Sequence, residues 1–146
     1  MGVVLAIDHG TKKTGFAVAP GLPGMRLLTE PLDVAHVAGE DLLEHVAGLC
    51  AERDVERILI GLPMDMDGGE TGRAKEVRAF GAELSAYLEA RSLAAPISYW
   101  DERLSTREAD ELLVAAGHTG EDRKKRRDSW SALVVLRDWI EAGEPT

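Results

Sequence analysis

A single cysteine, Cys50, stands in the 146 residues, so no intrachain disulfide can form and thiolate zinc sites are excluded. A reducing cytoplasm fits that scarcity. No apolar run approaches the ~20 residues a membrane span needs. The opening Met1-Gly2-Val3-Val4-Leu5-Ala6-Ile7-Asp8 has no basic flank and no small-residue cleavage site, so a signal peptide is not expected. Internal repeats, low-complexity tracts and long linkers are absent too. The expectation is one domain over residues 1–146, with 45% apolar residues to build its core. Positive charge is likewise in short supply. A net charge of −9 argues against a general nucleic-acid coat protein.

The basic residues that do occur are unevenly placed. Arg123, Lys124, Lys125, Arg126 and Arg127 form a row, and Arg103 and Arg107 lie nearby in sequence. Such a strip can hold a phosphate backbone even on an acidic protein. The plainer reading is a solvated loop.

Val3 to Asp8 is a short apolar run rich in β-branched residues, and Thr14 to Ala19 follows a Gly10-Thr11-Lys12-Lys13 turn. With Met25 to Leu32 as a third strand and turns at Gly10, Gly21, Pro23 and Gly24, these segments predict an antiparallel meander. The period then changes: Leu42, Leu43, Val46, Leu49 and Cys50 set a helix over 39–53. Val55 to Ile60 is a strand. A glycine-rich loop from Met64 to Gly72 leads into a helix with Ala74, Val77, Phe80, Leu84 and Leu88 inward. Ile97 to Asp101 is a strand after Pro96. Ser105 and Glu108 read as a capping box for a helix burying Ala109, Leu112, Leu113 and Ala116. After a basic loop, Ala132, Leu133, Leu136, Trp139 and Ile140 give a final amphipathic helix. This α/β order, β-β-β-α-β-α-β-α-α, predicts a mixed five-stranded sheet flanked by helices. It resembles the order of ribonuclease H-like domains.

Three carboxylates stand out. Asp8 closes the first strand, where a carboxylate costs stability unless it meets a cation or a hydrogen-bond donor; an Asx-type turn is the alternative. Asp101 and Glu102 end a later strand, and alternation lets only one of them face the side Asp8 faces. Glu102 could equally pair with Arg103 or Arg107 at the surface. Asp128, at the start of the final helix, reads as an N-cap. Yet it lies four residues before Ala132 and eight before Leu136, on the inward stripe. Oxygen ligands of this kind suit Mg²⁺ or Mn²⁺ rather than zinc. Two such ions, about 3.5–4 Å apart, are the means of phosphodiester hydrolysis in many nucleases. Repulsion within the set would raise at least one pKa until a cation binds.

The remaining polar residues say less. The loop from Gly61 to Gly72 could contact phosphate before a helix N-terminus, but it lacks a Walker lysine and serine. His9 and His118 read as bystanders, with proton transfer the alternative for His118. Cys50, Trp130 and Trp139 read as packing residues, Trp130 having base stacking as its alternative.

Leu5-Ala6-Ile7-Asp8-His9-Gly10-Thr11-Lys12-Lys13-Thr14-Gly15-Phe16-Ala17-Val18 resembles the opening motif of the YqgF/RuvX family. Ile60-Gly61-Leu62-Pro63-Met64-Asp65-Met66-Asp67-Gly68 is similar to its second motif. Asp101-Glu102-Arg103-Leu104-Ser105-Thr106-Arg107-Glu108-Ala109 is similar to its third, and Asp128-Ser129-Trp130-Ser131-Ala132 to its last. The resemblance spans nearly the whole chain in order. It implies a ribonuclease H-like nuclease of a family described both as Holliday-junction resolvases and as processors of the 5′ end of precursor 16S rRNA. By that resemblance Asp8, Glu102 and Asp128 match the acidic triad, with Asp101 a substitute for Glu102, and two Mg²⁺ or Mn²⁺ ions are implied. Lys13 replaces a frequent arginine and Ser131 a frequent alanine. Candidate nucleic-acid contacts are Lys12, Lys13, Arg103, Arg107, Lys124, Lys125, Arg126 and Arg127.

The leading reading is hydrolysis of structured RNA. The same chemistry on a four-way DNA junction is the second, and that two-fold substrate would favour a homodimer. Asp8-His9-Gly10-Thr11 also resembles the phosphate loop of actin-like sugar kinases, but those close two such domains around ATP. A catalytically silent nucleic-acid-binding domain is a further alternative, distinguished by whether divalent metal binds at all. No membrane partner is expected.

Overall fold

Residue 10 starts the tight turn between β1 (Val3–His9) and β2 (Thr14–Ala19), which pair antiparallel from Val4↔Ala19 to His9↔Thr14. β3 (Glu30–Pro31) joins the outer edge of β2 antiparallel. On the other side, β4 (Val55–Leu62) runs parallel to β1, and β5 (Ile97–Asp101) runs parallel to β4. The sheet is therefore mixed, in the order β3-β2-β1-β4-β5. Four helices complete the order: α1 (Gly39–Arg53), α2 (Gly72–Ala90), α3 (Ser105–Ala115) and α4 (Gly120–Glu141). This computed structural model of the chain describes residues 2–145 except 23, 27, 103 and 104, without side chains at 105 and 106. Among the described residues no helix is long and apolar enough to cross a membrane.

Strand alternation sorts the apolar side chains into two cores. Leu5, Ile7, Phe16, Ile58, Ile60 and Leu62 pack against α1 and α2. Val4, Ala6, Ala17, Ala19 and Leu59 pack against α4, through Ala132, Leu133, Val135, Leu136 and Trp139. The expected inward residues of α1 and α2 are buried, apart from Leu49, which is partly so. Asp54, in left-handed backbone at φ 51°, ends α1 and turns the chain directly into β4.

Three expectations need correction. The third strand is two residues long rather than Met25 to Leu32, because the preceding chain closes on itself: Met25 N–H donates to Leu22 C=O and Leu28 N–H to Met25 C=O. Arg26 pins that turn to the carbonyls of Gly2 and Pro20 and to the Glu144 carboxylate. The basic row is not a loop but the second and third turns of α4, which begins at Gly120. Glu121 and Asp122 stand in its first turn, where the helix dipole favours acids. Arg126 pairs with Asp122 one turn back, at 3.1 Å, while Arg127 and Arg123 reach Asp110 on α3 at 2.8 and 3.8 Å. Finally, α3 buries only Ala109 and Leu113 of its expected stripe, and Leu112 and Ala116 face outward. The capping box at Ser105 and the turn at Pro23 lie outside the described residues.

Candidate active site

The strand faces determine which acids meet. Val4 and Ala6 face α4, so Asp8, two residues on, faces α4 as well. Trp100 packs on that same core, which turns Glu102 to the α4 side and leaves Asp101 exposed on the other. Glu102 N–H donates to Leu62 C=O at 3.1 Å, carrying the β4–β5 pairing one residue beyond the strand. Asp8 and Glu102 thus stand at the C-terminal ends of β1 and β5, the two parallel strands that flank β4, where open α/β sheets hold ligands.

Two glycines make room for this meeting. A Cβ at Gly61 on β4 would lie 2.5 Å from Glu102 Oε2, so the Glu102 side chain rests over bare backbone. A Cβ at Gly15 on β2 would collide with the backbone carbonyl of Asp128. The helix can therefore sit directly on the strand at that point. Ser129 fastens it there, its buried Oγ accepting from Phe16 N–H at 3.2 Å. Asp128 is not an N-cap: it lies eight residues inside α4, and this contact aims it at the β1–β2 end. Its Oδ2 is buried with no hydrogen-bond partner among the described residues and lies 3.5 Å from Lys13 Nζ.

The electrostatics follow from burial of like charges. Burial pushes the Asp8 carboxyl up to about 6, and Asp128 adds to the rise; the hydrogen bond from Glu102 and the charge of Arg73 oppose it. Glu102 moves up further, through burial and then through the Asp8 charge beside it. The two carboxyls are hydrogen-bonded to each other and titrate as a pair. Among the described residues no group of three His, Cys, Asp or Glu side chains stands ready around an ion position. Asp8 and Glu102 instead close on each other, and Asp128 on Lys13.

Arg73 was not singled out by sequence and belongs to this site. It lies in the first turn of α2, where Thr71 caps the helix by accepting from Ala74 N–H at 3.1 Å. Its Nη2 donates to His9 C=O at 2.6 Å, and its charge acts on Asp8 and Glu102. Its place after a capped helix start, opposite a strand ending in acids, was the available signal. His9 stacks on Phe80 at 4.2 Å and is pushed down to about 4 by burial and by Arg73. In the loop before α2 the backbone N–H groups of Asp67 and Gly69 are already held by Asp65 Oδ1, at 3.0 and 2.9 Å.

The basic candidates are dispersed. Lys13 reaches Asp128, Lys12 is exposed at the same turn, and Arg107 pairs with Glu111 at 3.4 Å on the surface of α3. Arg126 and Arg127 are held by acids, whereas Lys124 and Lys125 are exposed and carry no ion pair among the described residues. Arg103 lies outside the described residues. His118 holds Asp122 at 2.5 Å and meets the edge of Trp130 at 6.1 Å.

The family model described as "RuvX: Holliday junction resolvase" matches residues 2–142. Proteins named "Putative pre-16S rRNA nuclease" are similar along most of their length. That of Rhodopseudomonas palustris is 37% identical over 136 residues, covering 93% of this chain and 81% of the relative. That of Cereibacter sphaeroides is 35% identical over 145 residues, covering 95% and 86%. Among solved structures, Thermus thermophilus RuvC with a Holliday junction substrate aligns at TM-score 0.59 and 13% identity, over 99% of this chain and 98% of that one. The fowlpox virus resolvase with Holliday junction DNA aligns at TM-score 0.59 and 8% identity, over 98% and 99%. At those identities the likeness establishes the fold, which is ribonuclease H-like.

Proposed function

The chain belongs to the RuvX family, and from that we propose a divalent-metal-dependent nuclease that hydrolyses phosphodiester bonds at the 5′ end of precursor 16S rRNA. The observation that carries the reading is the convergence of Asp8, Glu102 and Asp128, from three separate elements, on one end of the sheet. The donor set fits a hard cation: all its groups are carboxylate oxygens, two of them are hydrogen-bonded to each other and pushed up by burial and like charge, and a third oxygen is buried without a hydrogen-bond partner among the described residues, 3.5 Å from a lysine. Asp8, Glu102 and Asp128 would hold Mg²⁺ or Mn²⁺, in our reading two ions. Bound there, the metal supplies an activated water and offsets charge on the leaving oxygen. Arg73 braces the β1 end by its bond to His9 C=O, and Lys13 is positioned to exchange Asp128 for a substrate phosphate. The relatives' name supports precursor 16S rRNA as the substrate. The family description supports a second reading, resolution of four-way DNA junctions, with the same carboxylates.

Cleavage is measured side by side on 5′-extended 16S rRNA and on a synthetic four-way junction, with Mg²⁺, Mn²⁺ or chelator. Changing a residue behind the metal ligands typically costs 10–100-fold, so Asp8→Asn, Glu102→Gln and Asp128→Asn should each lose at least about 100-fold while remaining folded. Metal binding by calorimetry should fall with them. Unchanged activity and metal affinity in Asp8→Asn and Asp128→Asn would overturn the assignment. In cells, depletion should leave 5′-extended small-subunit RNA that wild type rescues and Asp8→Asn does not. Normal 5′ ends with accumulated junctions would favour the second reading.

A further inference from the structure

Beside Asp128 lies a groove of about 250 Å³ between α4 and the chain that follows β3. One wall is a single helical face: Asp122, Lys125, Arg126, Ser129 and Trp130 recur at the three- and four-residue spacing that puts them on one side. The other wall is the extended segment 31–34, with Pro31, Leu32 and Val34 and the exposed Asp33 at its rim. That segment is tied to β2 by Leu32 N–H to Phe16 C=O at 2.8 Å, and by two bonds between Thr14 and Ala35 at 2.9 Å. The groove therefore runs along the strand whose Gly15 carries Asp128.

Its chemistry is mixed in a particular way. Trp130 is half-buried opposite aliphatic side chains, an arrangement that sandwiches a flat ring. Of the basic residues in α4, three arginines are engaged by Asp110 and Asp122. Asp122 is itself paired with Arg126 and hydrogen-bonded to His118. Lys125 lines the groove, is exposed, and carries no ion pair among the described residues. Ser129 accepts from Phe16 N–H, which leaves its own O–H to donate. Lys125 precedes Asp128 by three residues, about 4.5 Å along the helix axis.

We infer that this groove is a nucleotide subsite: it takes one unpaired base next to the scissile phosphate, stacked on Trp130, with the adjoining phosphate on Lys125. The inference rests on the nuclease reading above. A base in a duplex is already stacked on its neighbours, so only a single-stranded segment can enter. The subsite would therefore favour extended ends over blunt ones.

The test uses the intact chain with an RNA hairpin bearing a 2-aminopurine-labelled 5′ extension, and the same hairpin blunt, both without metal. Wild type should quench the label on the extension, and Trp130→Phe should retain most of the affinity. Trp130→Leu should lose roughly 5- to 150-fold, the range for one stacked base. Lys125→Gln should lower the slope of log affinity against log salt by about 0.7 on the extended RNA alone. Folding of each variant is checked by circular dichroism. Should Trp130→Leu fail to fold, Lys125→Gln decides: an unchanged slope overturns the subsite. Equal losses on blunt and extended RNA would overturn it as well. Wild type that cleaves normally while these variants match it removes only the subsite. Wild type that binds and cleaves nothing removes the nuclease reading too.

Discussion

Asp8 illustrates how much one side chain can be strained by its surroundings. The unfolded chain releases its proton near 3.8 and the folded protein near 6. Between those values the native state binds the extra proton, so the stability this group contributes is full below 3.8 and is lost as pH rises through 6. The loss reaches roughly 3 kcal/mol at most, from the linkage of about 1.36 kcal/mol per pKa unit. Metal-free wild type should therefore lose stability between pH 4 and 6.5 relative to Asp8→Asn. Thermal melts across that range check this, and parallel pH profiles would contradict it. At pH 7.5, Mg²⁺ should raise the Tm of wild type far more than that of Asp8→Asn. Gly61 belongs to the same scale. Gly61→Ala puts a methyl 2.5 Å from Glu102 Oε2, and the flexible carboxylate can swing away. Mg²⁺ affinity by calorimetry should drop at least about 10-fold with little change in Tm.

At the scale of elements, the decisive contact is that of α4 on β2. Gly15→Ala cannot be absorbed as Gly61→Ala can, because its Cβ meets the backbone of Asp128 rather than a side-chain tip. Overpacking of this kind costs about 1–3 kcal/mol, and we expect both Tm and metal affinity to fall together. A Gly15→Ala protein with wild-type melting would mean that the helix is not seated on the strand as described. The α3–α4 pair depends on Asp110, which receives Arg127 at 2.8 Å and Arg123 at 3.8 Å. The turn-forming chain before β3 and the helical start of α4 were not legible locally. In both, arginines reach distant partners, Arg26 to Glu144 and Arg127 to Asp110, and periodicity over a window carries no trace of such pairs.

For the molecule as a whole, a net charge of −9 repels polyanions at long range, so binding must come from a few well-placed cations. The two lysines of the basic row are free to do this and its arginines are engaged in holding α3 and the start of α4. Neutralising Lys124 and Lys125 to glutamine should lower the salt slope by about 1.4–1.8 units and leave Tm unchanged. Neutralising Arg123 and Arg127 should reverse the pattern, lowering Tm by an amount equivalent to about 1 kcal/mol or less while the slope changes little. Filter binding over a salt series, with melts of the same preparations, separates the two. An equal slope change in both double variants would mean that the arginines leave Asp110 for the phosphates.

What the sequence by itself determined is what repeats at short range. The element order and the inward stripes of α1 and α2 follow from a period of two or of about 3.6, which also says that only one of Asp101 and Glu102 can face inward; Trp100 packing on the α4 core decided for Glu102. Asp128 was legible as lying on the inward stripe, but not as lying deep inside a helix, because the turns before it are polar and look like loop. The tertiary structure alone decided that Asp128 rests on Gly15, that Ser129 accepts from Phe16 across 113 residues of chain, and that Arg73 reaches the carbonyl of His9. Each of these joins residues that no local pattern relates. They come together only because the two cores, once closed, fix how far each helix sits from the sheet.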